Sequence, residues 1–240
     1  MTLYDDSSYP IATDIESLHA QQLKSFARPG TWWTAAERTA IAALARQARC
    51  KEGSQESIGD EALTGAAPLP AGTSMVARTV ALGGIEIDRP FFDNALADGL
   101  SEEQYVETVA IVARLAHLDV FARGIGVPSR ALEAPQDVAA PTRVRPASAI
   151  DEGFHAASIP AGTAGGDIGH ALYGSGSAPN ILRSLSLVPD EAQSLIDVME
   201  REYMTPEKIG DFSFSPFADL SRPQVELVAA KISALNQCFY

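Results

Sequence analysis

Residues 220–240, LSRPQVELVAAKISALNQCFY, decide the fold class, because they hold a helix with a readable start, a readable face and a cysteine at its end. Ser221-Arg-Pro-Gln224 is a capping box: the Ser221 hydroxyl can accept from the N–H three residues on, Gln224 can reach back, and Pro223 sits in the first turn, where a missing donor costs little. Val225, Val228, Ile232 and Leu235 then recur at steps of three and four, while Gln224, Lys231 and Asn236 fall elsewhere on the wheel. Such a stripe predicts a helix that packs on something.

The same signature recurs upstream. Thr34-Ala-Ala-Glu37 caps an Ala-rich, helix-favouring run that ends at Cys50, with Trp33 placed as a hydrophobic staple. Superposing the two caps sets Cys50 opposite Gln237, one residue ahead of Cys238, which reads as an internal repeat. Ser101-Glu-Glu-Gln104 opens a third helix, for which Val106, Val109, Ala110, Val112, Ala113, Ala116, Val120 and Phe121 predict an apolar face running to Gly124. Further helices are expected over Thr13–Phe26, opened by a box at Thr13-Asp-Ile-Glu16, and over Ser74–Leu82, Arg89–Ala97 and Asn180–Val188. One more is expected from a cap at Asp190 to Tyr203. No segment shows sustained strict alternation, so the predicted fold class is all-α.

Glu226 stands twelve positions before Cys238. Glu-x11-Cys on a capped helix, followed by Phe239-Tyr240, resembles the opening of the active-site motif of the alkylhydroperoxidase AhpD and carboxymuconolactone decarboxylase-like family. In the redox members the motif reads Glu-x11-Cys-x-x-Cys-x3-His. The run ALADGLSEEQYVETVAIVARLAHLDVFARGIGVP resembles the helical hairpin that follows the active-site helix in such repeats, and SAPNILRSLSLVPDEAQSL is similar to the second half of two-repeat members. The resemblance covers most of residues 15–130 and 178–240.

It implies two AhpD-like helical repeats in tandem: the first over 1–130, a Pro/Gly-rich linker over 131–178, and a second over 179–240 that is incomplete within the Cys-x-x-Cys motif. It also implies an antioxidant oxidoreductase that reduces a peroxide through a dithiol, with a thiol reductant as partner and a homo-oligomer as the working form. In that scheme a thiolate attacks the peroxide and a neighbouring thiol resolves the sulfenic acid as a disulfide. Cys238 takes the position of the resolving thiol and Glu226 that of the relay carboxylate. The attacking cysteine and the relay histidine have no counterpart in these 240 residues, so the expectation is a sequence cut inside its motif, inactive alone and prone to associate. The first copy is expected to be silent, since Cys50-Lys-Glu-Gly53 lacks a second thiol and Glu37 is thirteen residues from Cys50. A non-catalytic, partner-binding relative and a decarboxylase-type lyase are the alternative uses of such a fold.

Composition bounds these expectations. With 240 residues, 46% hydrophobic and 20% charged, the chain can bury the core of one or two domains. A net charge of −13 with 18 scattered basic residues argues against nucleic acid or an anionic membrane as partner. No apolar run is long enough to span a bilayer and MTLYDDSSYP is not a signal sequence, so the cytoplasm is the expected compartment. Two cysteines 188 positions apart give neither a disulfide framework nor metal-ligand spacing, and no cofactor is expected. Pro128, Pro135, Pro141 and Pro146 mark the extended linker, and Ser54–Pro70 reads as a loop with one short turn. Gly165-Gly166-Asp-Ile-Gly169 has no convincing strand before it or helix start after it, and is expected to be a loop rather than a phosphate cradle. His19 reads as a packing or surface residue, and His117, His155 and His170 receive no role.

Overall fold

Ser101 and Thr34 make their boxes as the sequence predicts, and the two helices they open carry most of the core of one compact unit, Met1–Ile196. The Ser101 hydroxyl accepts from Gln104 N at 3.2 Å, and Gln104 Oε1 accepts from Ser101 N at 3.0 Å. Thr34 and Glu37 exchange the same pair of bonds. In the computed structural model, residues 2–53, 60–136, 138–174 and 178–238 are described. Residues 54–59 of the expected loop, and the terminal Phe239 and Tyr240, lie outside the described residues.

Every regular element among the described residues is helical, so the fold is all-α. The helices are α1 (Thr13–Phe26), α2 (Ala35–Lys51), α3 (Ala71–Ala81), α4 (Arg89–Ala97), α5 (Glu102–Gly124), α6 (Gly166–Tyr173), α7 (Asn180–Arg183), α8 (Pro189–Glu202), α9 (Pro206–Ile209) and α10 (Arg222–Leu235). Short 3-10 turns occupy Asp60–Gly65 and Gly162–Gly165, and Ile150 and Ser158 form an isolated antiparallel bridge. No helix among the described residues is long and apolar enough to cross a membrane.

The chain forms two compact units, Met1–Ile196 and Asp197–Tyr240, which part inside α8 rather than within 131–178. In the first unit α2 and α5 lie back to back with α1 and α3 against them. Their shared core holds Phe26, Trp33, Ile41, Ala77, Ile111 and Leu115. Buried alanines along α2, at 35, 40, 42, 43, 45 and 48, let neighbouring helices approach closely, since interaxial distance follows side-chain size at the contact. Gly72 serves the same end on α3, where a Cβ would run into the Leu100 side chain and lie within 2.5 Å of the Ala95 carbonyl oxygen on α4.

Several local expectations are corrected. The box at Thr13–Glu16 does not form, because Ala12 is the N-cap of α1 and the Glu16 carboxylate accepts from Tyr4 N at 3.0 Å instead. On α5 Ala113 and Val120 face solvent while Glu103, Glu107, Arg114 and Asp119 are buried, so the helix is not an apolar stripe backed by a polar face. The glycine-rich stretch expected as a loop contains α6: Gly165 and Gly169 ride over Pro160 and the fully buried Ile159, at separations that leave no room for a Cβ. Close packing outweighs the poor helix propensity of glycine there. The proline-spaced segment is irregular but tied down, with Leu132 in the core, Gln136 N bonded to Ala27 O at 2.7 Å and Arg143 N to Thr31 O at 2.8 Å.

Candidate functional site

Cys238 leaves the C-terminal end of α10. Asn236 caps the helix, Gln237 turns into the left-handed region (φ 52°), Gln237 N bonds Ala234 O, and Cys238 N bonds Ser233 O at 2.9 Å. This pair of backward bonds is a Schellman ending, and it leaves the thiol exposed. The partial negative charge of a helix gathers at this end, whereas thiolates are favoured at the opposite one. Cys50 is half-buried near the end of α2, and neither cysteine forms a disulfide.

The structure does not bring Glu226 to Cys238. Nine residues of helix separate Glu226 from Leu235, about 13 Å of rise, and the cysteine lies beyond. The carboxylate instead accepts from the Tyr203 hydroxyl at 2.9 Å and Arg222 Nε at 2.6 Å, and those two bonds, the tyrosine's first, hold it below the usual carboxylate range. Arg222 is the hub of this second unit. Nearly buried at the start of α10, it donates to the carbonyls of Lys208, Ile209, Asp211 and Phe214, so one side chain holds the loop after α9. Ser221 N and its hydroxyl both donate to Gln224 Oε1 at 2.8 Å, which completes the Gln224 half of the expected cap.

The densest polar chemistry lies elsewhere, in a buried cluster of four charges. Arg38 on α2, Glu107 and Arg114 on α5, and Glu191 on α8 are each at most 4% exposed. Arg38 Nη1 bridges the two acids, donating to Glu107 Oε1 and, at 2.8 Å, to Glu191 Oε1, while Arg114 Nη2 donates to Glu191 Oε2. Gln22 and Ser25 of α1 accept from Arg114 Nη1, and Trp32 N donates to Glu107 Oε2 at 2.7 Å. The cluster is formally neutral, which is the condition under which four charges can be buried together.

Its two acids are not equivalent. Burial raises both, but Arg114 and Arg38 together hold Glu191 below the usual range. Glu107 has only Arg38 and the Trp32 amide against burial and against Glu191, and its carboxyl is pushed up to about 7. Arg38, between two carboxylates, is held more firmly charged. The upward shifts of Arg38 and Glu107 pull the pair in opposite directions. The geometry resolves them: the guanidinium keeps its charge, and the acid with the single guanidinium takes the proton.

A second buried group lies further along α2 and α5. Arg46 grips Asp119 through Nε at 3.1 Å and Nη2 at 2.7 Å, Arg49 Nη2 joins at 2.5 Å, and Arg46 also caps the Arg130 carbonyl at 2.8 Å. Here burial pulls the Arg49 guanidinium down from its ordinary value. Sequence patterning does not show either group, because the partners stand 69 or more residues apart and no local spacing links them. One signal was present: Arg38 stands twelve residues before Cys50, the spacing of Glu226 to Cys238. Registered on the two cysteines, the cation Arg38 falls where the acid Glu226 falls.

His19 is fully buried, with Tyr4 Oη 2.8 Å from Nδ1 and the His117 ring edge-on at 5.9 Å. His155 stacks on Phe92, and His170 is exposed on α6. No protein-family model, curated protein or solved structure matches the chain.

Proposed function

We propose that the chain is a thiol-dependent peroxide-reducing protein built from two AhpD-like helical repeats, in which Cys238 supplies the resolving thiol. The observation that carries this reading is an exposed cysteine leaving a capped helix, with the family's glutamate twelve residues before it, in an all-α protein. In the reaction an attacking thiolate takes the terminal OH of ROOH, the O–O bond breaks, and the alkoxide RO⁻ leaves and takes up a proton from solvent to become ROH. The resulting sulfenic acid is attacked by the Cys238 sulfur, water departs, and a disulfide forms. A dithiol reductant reopens it, supplying two electrons and two protons. Cys50, half-buried in the other copy, takes no part.

The test is a chain extended by one further cysteine and a histidine in the family's spacing, assayed for hydroperoxide consumption with a dithiol. Turnover that appears with the extension and disappears in its Cys238→Ser variant supports the reading. Full turnover in the Cys238→Ser variant overturns it.

A second reading is favoured by a different observation. Leu227, Val228, Ile232 and Leu235 on α10 are all more than half exposed. We propose a second copy of the chain as their partner, α10 against α10. Val228, Ile232 and Leu235 follow one another at steps of four and three on one exposed face, a short seam that can meet its own copy about a two-fold axis, and no acid lies on it to repel that copy.

A further inference from the structure

The loop joining α1 to α2 carries both tryptophans of the protein, and it lies on the Glu107 carboxylate. Trp32 N donates to Glu107 Oε2 at 2.7 Å, Gly30 packs against the same carboxyl group with no room for a Cβ, and Gly30 N bonds Trp33 O at 2.9 Å. On either side of Glu107 along α5, Gln104 O and Thr108 Oγ1 each accept from Trp33 Nε1 at 3.2 Å. The loop is therefore pinned at Trp33 by neutral bonds and at Trp32 by a bond to an acid.

Both oxygens of that acid face donors: Oε1 faces Arg38 Nη1 and Oε2 faces the Trp32 amide. A carboxylate satisfies both. A carboxylic acid does so less well, because protonation turns one oxygen into a hydroxyl that accepts weakly and whose proton competes with the donor facing it, so one of the two bonds is lost or weakened. Arg38 is permanently charged and fully buried, so its bond to oxygen is kept. The proton goes to Oε2, and the neutral amide is displaced. We propose that Glu107 is a proton-operated latch on the loop between α1 and α2, holding the Trp32 amide as a carboxylate and releasing it as an acid.

The groups that set the latch are all in place around it. Arg38 faces it from α2, Glu191 from α8, Arg114 from two turns further along α5, and Gly30 and Trp32 present backbone from the loop. The α1 side chains at the cluster, Gln22 and Ser25, are neutral and reach Arg114. Arg38 favours the carboxylate, whereas burial and Glu191 favour the acid, so the release falls near neutral pH.

The two tryptophans are built-in reporters. Intrinsic emission and acrylamide quenching of the full chain are followed from about pH 5 to about pH 9, in wild type, Glu107→Gln and Trp33→Phe. The latch gives a one-proton transition near pH 7 in wild type, with quenching at least about twofold stronger on the acid side. The transition persists in Trp33→Phe and vanishes in Glu107→Gln. A flat wild-type profile, or the same transition in a folded Glu107→Gln, overturns the proposal, the latter by assigning the titration to a histidine. If Glu107→Gln does not fold, Trp32 amide exchange in wild type decides: protection that falls at least about tenfold below the midpoint, after correction for intrinsic pH dependence, supports the latch, and constant protection overturns it.

Discussion

Arg38 Nη1 lies 2.8 Å from Glu191 Oε1, across 153 residues of sequence. That bond, together with Arg114 on the other carboxylate oxygen, fastens the first turn of α8 to α2 and α5. Removing one partner of a buried pair leaves the other charge uncompensated. Glu191→Gln strands Arg114, whose acid it is, while Arg38 keeps Glu107, and is expected to cost about 3–5 kcal/mol. Glu107→Gln strands none completely, since Arg38 keeps Glu191, and is expected to cost less than half as much. Urea unfolding at neutral pH ranks the two variants. An equal or reversed ranking would refute the asymmetry of the acids.

Stability should also depend on pH in a direction set by Glu107. Its folded carboxyl titrates near 7, above its ordinary 4.5, so between those values the native state holds a proton that the unfolded chain has released. Stability therefore falls as pH rises through that window and levels off above it, by about 1–3 kcal/mol. Glu191 works the other way: its lowered titration gives stability that is present above about 4.5 and lost as pH falls below it. Unfolding free energies measured from about pH 4 to about pH 9 should peak on the acid side of neutrality, and in Glu107→Gln the decline toward pH 7 should be absent.

Gly30 is a packing requirement rather than a conformational one, since its φ is ordinary and a Cβ there would strike the Glu107 carboxylate and the Arg38 guanidinium. Gly30→Ala is expected to destabilise by about 1–3 kcal/mol through overpacking. Gly124→Ala, where a Cβ meets nothing within 4 Å, should stay within about 0.5 kcal/mol of wild type. Similar losses for both would show that the loop yields.

These three expectations concern a cluster that periodicity could not show, while the helices around it were legible. Thr34, Ser101 and Gln224 make the expected side-chain bonds at helix starts. Caps are local, decided by residues three apart. Arg38, Glu107 and Glu191 meet across 69 and 153 residues, and no local rule separates a charge that will be paired in the core from one that will be solvated. The Thr13 box failed for the same reason, because Glu16 was claimed by Tyr4, twelve residues away. The relay role of Glu226 is one that the family resemblance implies; locally its carboxylate accepts from Arg222, four residues before it, and from Tyr203.

That last competition is measurable. With its carboxylate committed to Tyr203 and Arg222, Glu226→Gln should leave the alkylation rate of Cys238 within about twofold at every pH and loosen the loop held by Arg222. A slowing of about tenfold would restore the proton-relay role that the family resemblance implies. Cys50→Ser should leave the same rate unchanged.

The open face of α10 sets the last prediction. Leu227 is 71% exposed, Val228 56%, Ile232 54% and Leu235 69%, while Val225 in the same stripe is 5% exposed. Covering side chains already half in contact stabilises by about 1–2 kcal/mol each, so Val228, Ile232 and Leu235 on each of two copies contribute about 6–12 kcal/mol. Association costs about 4–15 kcal/mol in lost motion, which offsets most of that gain and leaves a weak, reversible dimer rather than a permanent one. A net charge of −13 on each copy opposes the approach at low salt. Sedimentation should therefore show a concentration-dependent dimer that strengthens with added salt and is abolished by Ile232→Asp. Weaker association at higher salt would place the contact on charges instead of on this face, and a dimer that survives Ile232→Asp would place it on another surface altogether.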